Sequence, residues 1–381
     1  MIDHPGLLLS IGAFLLVIGP LVFVHEMGHY LAGRWFGIGA ETFSIGFGRE
    51  LLGWTDRRGT RWKIGWLPLG GYVRFAGDMN PASQPDAAWL SLPAAERNRT
   101  FQAKTVWQRA IVVAAGPAVN FVVALLILAG FALAYGEVRV PPVVGAVVPG
   151  SPAAAAGLRA GDRILSVADR PVERFADIGR AVLLRAGERV AISYRRGAAT
   201  AQGSAVVAST QERDRFGNSY TIGRLGIASS TPVVTPVAPW EAPLVAGRQI
   251  GEIVSLTVET LGRVVTGRMA VSELHGPVGT AKIAGEQLTL GWSAFVFLLA
   301  LVSINLGFIN LLPVPMLDGG HLFFYAVEAV RRRPLEPRLQ EWAFRGGLVA
   351  LLILMLVVTA NDLGAFGLWK GLGKSLAGLI G

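Results

Sequence analysis

Three stretches of this chain, at about residues 6–31, 106–135 and 292–312, are so long and apolar that water is a poor solvent for them, and a shorter fourth lies at about 346–360. A bilayer core takes about 20 apolar residues to cross as a helix. A helix is also one of the few structures that satisfies its own backbone polar groups in lipid. The chain is therefore expected to be a polytopic α-helical membrane protein with about four transmembrane helices. Composition agrees: 52% of residues are hydrophobic and 16% charged, against about 25% charged in a soluble domain.

The net charge of +9 invites a nucleic-acid reading, but its placement argues otherwise. Arginines crowd short segments beside apolar runs, as at Arg331, Arg332, Arg333, Arg338 and Arg345, which is the positive-inside pattern. No basic stripe with interleaved aromatics stands out, so the expected partner is a lipid bilayer and not nucleic acid. The charged loop between the third and fourth spans is then cytoplasmic. Four spans place both termini outside, together with whatever lies between the second and third. The first apolar run lacks a preceding basic region and a clear cleavage site, so it reads as a retained anchor. With no cysteine, thiol chemistry is excluded and any metal must be held by His, Asp or Glu.

Between the spans the texture changes. Arg61 to Phe75 (RWKIGWLPLGGYVRF) alternates around Pro-Leu-Gly-Gly and reads as a hairpin, either dipping into the membrane interface or lying on a soluble loop. Residues 138–227 read as a small soluble α/β domain, with short β-rich runs, tight turns and an amphipathic helix at 175–185. A proline-rich linker covers 232–240. Residues 241–290 have helical periodicity of mixed polarity, expected to lie along the membrane surface. The divisions are 1–136, 137–229, 230–290 and 291–381.

The chemistry concentrates in His25-Glu26-Met27-Gly28-His29. Residues four apart share a helix face, so both imidazoles can reach one ion, and zinc favours such nitrogen ligands. Glu26 beside them is placed to take a proton from a metal-bound water. The motif ends an apolar run, where ionisable groups are costly and functional by default. A third ligand is needed. Asp318, in the segment from Asn310 to His321 (NLLPVPMLDGGH), is the best candidate, with a helix cap as its bland alternative and His321 as the other possible ligand. The prolines are expected to unwind the helix, and the glycines to let the backbone pass close to another helix. Asn310 is either a substrate-carbonyl donor or a helix–helix bond, while Asn305 reads as the latter. Gly116, Pro117 and Asn120 read as close packing in the second span. His4 and His275 have no visible partner and read as structural or exposed.

With H-E-x-x-H in the first span, G-P-x-x-N (Gly116, Pro117, Asn120) in the second and N-x-x-P-x-P-x-L-D-G-G-H in the third, the chain resembles the site-2 protease family of intramembrane zinc metalloproteases. The resemblance is to the bacterial RseP-like branch and covers nearly the whole chain. It implies zinc held by His25, His29 and Asp318, with Glu26 as catalytic base. It implies that the Arg61–Phe75 hairpin is a membrane-re-entrant β-loop whose Gly70, Gly71 and Tyr72 bind an unwound substrate as an added strand, with Asn310 also on the substrate. The domain at 137–229 is similar to one inserted PDZ domain, with Leu225, Gly226 and Ile227 in a loop for peptide C-termini. His275-Gly276-Pro277 resembles a family element before the third span. Well-known relatives carry two PDZ domains, and this chain has room for one. The implied substrates are single-span membrane proteins, such as anti-sigma-factor-like proteins and remnant signal peptides. A zinc transporter would leave Glu26 without a task, and a non-catalytic scaffold would not need the motif intact.

Overall fold

The computed structural model describes residues 6–78, 91–183, 185–213, 219–266, 276–333 and 337–365. In chain order the elements are α1 (Leu7–Trp35), β1 (Ala40–Thr55), β2 (Arg61–Phe75), α2 (Ala94–Arg97), α3 (Val106–Tyr135), β3 (Glu137–Arg139), β4 (Val144–Val147), α4 (Pro152–Ala155), β5 (Arg163–Val167) and β6 (Arg170–Pro171). Then follow α5 (Phe175–Val182), β7 (Arg189–Arg196), β8 (Ala199–Val206), β9 (Ala208–Arg213), β10 (Ser219–Arg224), β11 (Ile227–Ser229) and β12 (Val233–Thr235). The chain closes with α6 (Ala242–Val265), α7 (Pro277–Thr289), α8 (Trp292–Asn310), α9 (Asp318–Arg331) and α10 (Pro337–Ala365). They form two compact units. One holds residues 1–128, 246–258 and 271–381; the other holds 129–245 and 259–270.

In the first unit, α1, α3, α8 and residues Gln340–Ala360 of α10 are long and apolar enough to cross a membrane, as the sequence led us to expect. Small residues bring these helices together: Gly28 of α1 leaves no room for a Cβ, which would stand 2.5 Å from the Ala115 carbonyl oxygen of α3. Gly307 of α8 sits likewise against Phe121 and the Pro117 carbonyl. Asn305 of α8 accepts a hydrogen bond from Thr257 Oγ1 of α6 at 3.1 Å, the helix–helix role expected of it.

Two expectations are corrected here. Residues 61–75 do double back around Pro-Leu-Gly-Gly, but the two arms of β2 pair with β1 and not with each other. Residues 71–75 lie against 40–45, residues 61–65 lie against 50–55, and Thr42, Phe43, Ser44 and Ile45 also face Arg61, Trp62, Lys63 and Ile64. The first part of β1 is thus inserted between the two arms of β2. The tight turn joining β1 to β2 sits at 56–60, where Asp56 Oδ1 accepts from the N–H groups of Arg58 and Thr60 and Gly59 takes φ +85°. The sequence around that turn is short and polar, whereas the reversal at Pro-Leu-Gly-Gly is wide enough to hold a strand between its arms.

The second correction concerns α7, which is not a surface helix. Ala284 is fully buried in one core with Ala13, Val17 and Leu21 of α1 and Phe295 and Leu298 of α8. Its small residues Gly279, Ala284 and Gly285 form the buried side, and the Lys282–Glu286 pair at 3.9 Å gives the mixed polarity that suggested an interface. The start of α7 is held from α10 by Asp362, whose Oδ2 accepts from the N–H groups of Gly276 and Gly279 at 2.9 and 2.8 Å.

The second unit contains a four-stranded sheet in the order β6-β5-β7-β8 and the pairs β4–β11, β9–β10 and β3–β12. Its core gathers Val144, Leu158, Ile164, Val167, Ile178, Ile192 and Leu225 among others. Alternation on β7 is clean: Val190, Ile192 and Tyr194 point inward, and Arg189, Ala191 and Arg195 outward, as expected of a strand with one solvated face.

Candidate metal centre

The site is assembled on α1. His25 and His29 are one turn apart, and their Nε2 atoms approach to 3.2 Å. Both side chains are buried, so each ring nitrogen facing away from that point needs a partner, and α3 supplies both. His29 Nδ1–H donates to the Val112 carbonyl at 2.9 Å. Since a carbonyl only accepts, this leaves a lone pair on His29 Nε2. His25 Nδ1 lies 3.0 Å from the Asn120 side-chain amide, and the Asn120 backbone carbonyl accepts from Ser303 Oγ of α8 at 2.8 Å. Gly116 clears the space between: a Cβ there would stand 2.2 Å from His29 Nε2. The G-P-x-x-N segment is therefore more than packing. It shapes the pocket of both imidazoles, and sequence periodicity carries no sign that Asn120 faces His25.

Asp318 arrives from a sharp turn between α8 and α9. Residues 311–317 are unwound, with Met316 at φ +82°. The glycines after Asp318, expected to let the backbone pass close to another helix, instead meet the turn that precedes them. A Cβ on Gly319 would collide with the carbonyls of Leu311 and Leu312 at 2.3 and 2.2 Å, and one on Gly320 with that of Val314 at 2.4 Å. They let α9 start directly against the turn it leaves. Asp318 is thereby the first residue of α9, and its Oδ2 lies 3.2 Å from His25 Nε2 and 3.5 Å from His29 Nε2.

The donor set fits zinc. Ligands at about 2.0–2.1 Å in a tetrahedron stand about 3.3 Å apart, and the three separations here are 3.2, 3.2 and 3.5 Å. Asp318 Oδ2 is buried yet accepts no hydrogen bond of normal geometry, as a carboxylate oxygen does when a cation is its partner. His25, His29 and Asp318 are also the one group of potential ligands found together among the described residues. His321 is not with them: its ring packs on Phe344 at 4.7 Å. His4 and His275 lie outside the described residues.

Glu26 is buried beside the histidines, and β2 runs against it: a Cβ on Gly71 would stand 2.9 Å from Glu26 Cγ. Gly70, at φ +129°, closes on the Phe47 ring, and Tyr72 stacks on that ring at 6.0 Å. Asn310 is the last residue of α8, partly buried, with no hydrogen bond to its amide among the described residues. In the β-rich unit the Leu225 side chain goes into the core. The Leu225 and Gly226 carbonyls accept from Ala153 and Val148, and Ile227 opens β11, paired to β4.

A helix carrying two imidazoles and a carboxylate, closed by an aspartate from a broken helix, defines a metal-dependent hydrolase centre built into membrane helices. The family comparison is specific: residues 13–354 match the family model "Peptidase family M50", and the chain belongs to that family of zinc metalloproteases. A protein of Agrobacterium fabrum is 44% identical over 92% of this chain and 94% of its own. One of Mesorhizobium japonicum is 43% identical over 92% and 97%; both carry the name "putative zinc metalloprotease". Metalloprotease MmpA of Caulobacter vibrioides is 36% identical over 97% of this chain and 98% of its own. Among solved structures, the PDZ domain of an SdrC-like protein from Listeria monocytogenes is similar over 25% of this chain and 88% of its own, at 23% identity and a TM-score of 0.19.

Proposed function

We propose that this metalloprotease cuts peptide bonds of single-span membrane proteins within the bilayer, in regulated intramembrane proteolysis. The observation that carries the reading is the place of the site: His25, Glu26 and His29 are each at most 9% exposed, on a 29-residue apolar helix. A protease for soluble substrates has no reason to put its metal helix in lipid.

In this reading His25, His29 and Asp318 hold zinc, and bound zinc acts as a Lewis acid on the scissile carbonyl and on water. Glu26 takes the proton from the attacking water and delivers it to the leaving amine. The flanking strand matters because a helical substrate shields its carbonyls. The 71–75 arm of β2 offers an unwound segment a strand to pair with, at Gly70, Gly71 and Tyr72, beside Glu26. Asn310 is the amide donor for a substrate carbonyl. Exposed Leu51, Leu52, Trp54 and Trp66 on the β1–β2 element suit a re-entrant loop at the membrane interface.

The chain sits in the inner membrane of a bacterium, with the arginine-rich loops and the active site toward the cytoplasm and the β-rich domain in the periplasm. That domain is a single PDZ module whose loop at Leu225, Gly226 and Ile227 receives peptide C-termini. Suitable substrates are anti-sigma-factor-like proteins and remnant signal peptides.

The test is cleavage of a tagged single-span protein in cells by wild type and by Glu26→Gln. The variant keeps the zinc ligands and is expected to lose about 10²–10⁴-fold in rate. Substantial residual cleavage would remove Glu26 from its role. Cleavage only of a detached soluble peptide by wild type would move the reaction out of the membrane.

A further inference from the structure

The Asn120 amide is fully buried, with one of its two terminal atoms 3.0 Å from His25 Nδ1. Its Oδ1, pointing the other way, has no hydrogen-bond partner. A half-turn about Cβ–Cγ exchanges the amide oxygen and nitrogen without moving either site. The two arrangements have opposite consequences. If the NH₂ group donates to His25 Nδ1, the proton of a neutral imidazole sits on Nε2, the atom that must hold the metal. If the oxygen faces Nδ1, it accepts Nδ1–H and frees the Nε2 lone pair.

We infer that Asn120 is a positioning residue of the zinc centre: its Oδ1 accepts Nδ1–H of His25 and fixes the tautomer in which Nε2 is the ligand. The second imidazole supports this. His29 reaches the same state through the Val112 carbonyl, so α3 supplies an oxygen acceptor to each histidine two turns apart. Ser303, fully buried on α8, fastens the Asn120 backbone from a third helix. Metal-bound histidines characteristically donate their far N–H to an oxygen, which orients the ring and raises its basicity. No other acceptor for His25 Nδ1 is found among the described residues.

The experiment uses the full chain in detergent, stripped of metal and titrated with zinc against a competing chelator. Asn120→Leu keeps the branched shape and removes the acceptor, whereas Asn120→Asp keeps an acceptor oxygen. Leu is expected to weaken zinc binding by about 10–100-fold, while Asp stays close to wild type. A purely structural role would instead lower the unfolding temperature of the metal-free Leu variant and leave the zinc-induced increment unchanged. Leu binding zinc as tightly as wild type would overturn the assignment, and so would Asp binding as weakly as Leu. If Leu does not fold, Asn120→Ala against Asn120→Asp is read the same way, with equal affinities overturning it.

Discussion

Two buried carboxylates, Asp162 in the β-rich unit and Asp318 in the membrane unit, are treated in opposite ways. In the β-rich unit, Asp162 is 1% exposed and fully engaged. Its carboxylate accepts from Arg196 Nε and Nη2 at 2.8 Å each and from the Arg159 N–H at 2.7 Å. Ser151 both caps α4 through the Ala154 N–H and donates to the Gly226 carbonyl. In the membrane unit, Asn120 Oδ1 and Asp318 Oδ2 are buried without a hydrogen bond. An unmet buried polar atom costs about 1–3 kcal/mol, so it persists where something else completes it. Unmet atoms also occur at Arg74 Nε, Arg109 Nε and Ser230 Oγ; Asn120 and Asp318 differ in that both side chains meet His25, at 3.0 and 3.2 Å.

The sharpest way to break that contrast is to fill the space the site keeps open. Gly116→Ala puts a Cβ 2.2 Å from His29 Nε2. The ring cannot simply swing aside, because Nδ1 is fixed on Val112. An overpacking cost of about 1–3 kcal/mol falls on the metal-binding arrangement, and zinc affinity is expected to drop about 5–150-fold. Chelator competition reads it. Unchanged affinity would mean that the pocket relaxes like ordinary core and that the open space has no purpose.

A smaller effect, of opposite logic, belongs to Asp162. Hydrogen bonds from Arg196 hold its carboxyl below the ordinary carboxylate value, helped by the Arg159 N–H and the arginine charges and opposed by burial. With the folded value depressed, its contribution is fully present above the unfolded value of about 3.9. It is lost as pH falls through the folded value. Asp162→Asn is expected to weaken the β-rich unit by about 1.5–3 kcal/mol at neutral pH and to flatten its acid sensitivity. Hydrogen exchange of β5 and β7 at pH 7 and pH 3 checks both, with zinc binding unaffected.

The sequence displays the groups whose pattern is local. The spans follow from hydropathy, and His25 and His29 from a four-residue spacing on one helix. Asp318 is legible because a lone carboxylate after two prolines needs a partner. What stays hidden is non-local. Asn120 faces His25 only because Gly28 and Ala115 bring α1 and α3 into contact. The insertion of β1 between the arms of β2 depends on pairing that no alternation encodes. For α7, the Lys282–Glu286 pair made a packed helix look like an interfacial one. Its true setting is visible only in what covers Ala284.

The smallest expected effect tests the contrast with the same chemical change. Gly179 lies in the middle of α5 with helical backbone, is exposed, and has nothing within 4 Å of an added Cβ. Alanine there restricts the unfolded chain and meets no neighbour, so Gly179→Ala is expected to stabilise the β-rich unit by about 0.5–1 kcal/mol. The identical substitution at Gly116 is predicted to damage the protein. One methyl group then separates a glycine that merely tolerates a helix from one that makes room for a ligand. Thermal unfolding of the two variants side by side reads the sign. A loss at Gly179 would show that α5 needs its glycine for a reason other than space.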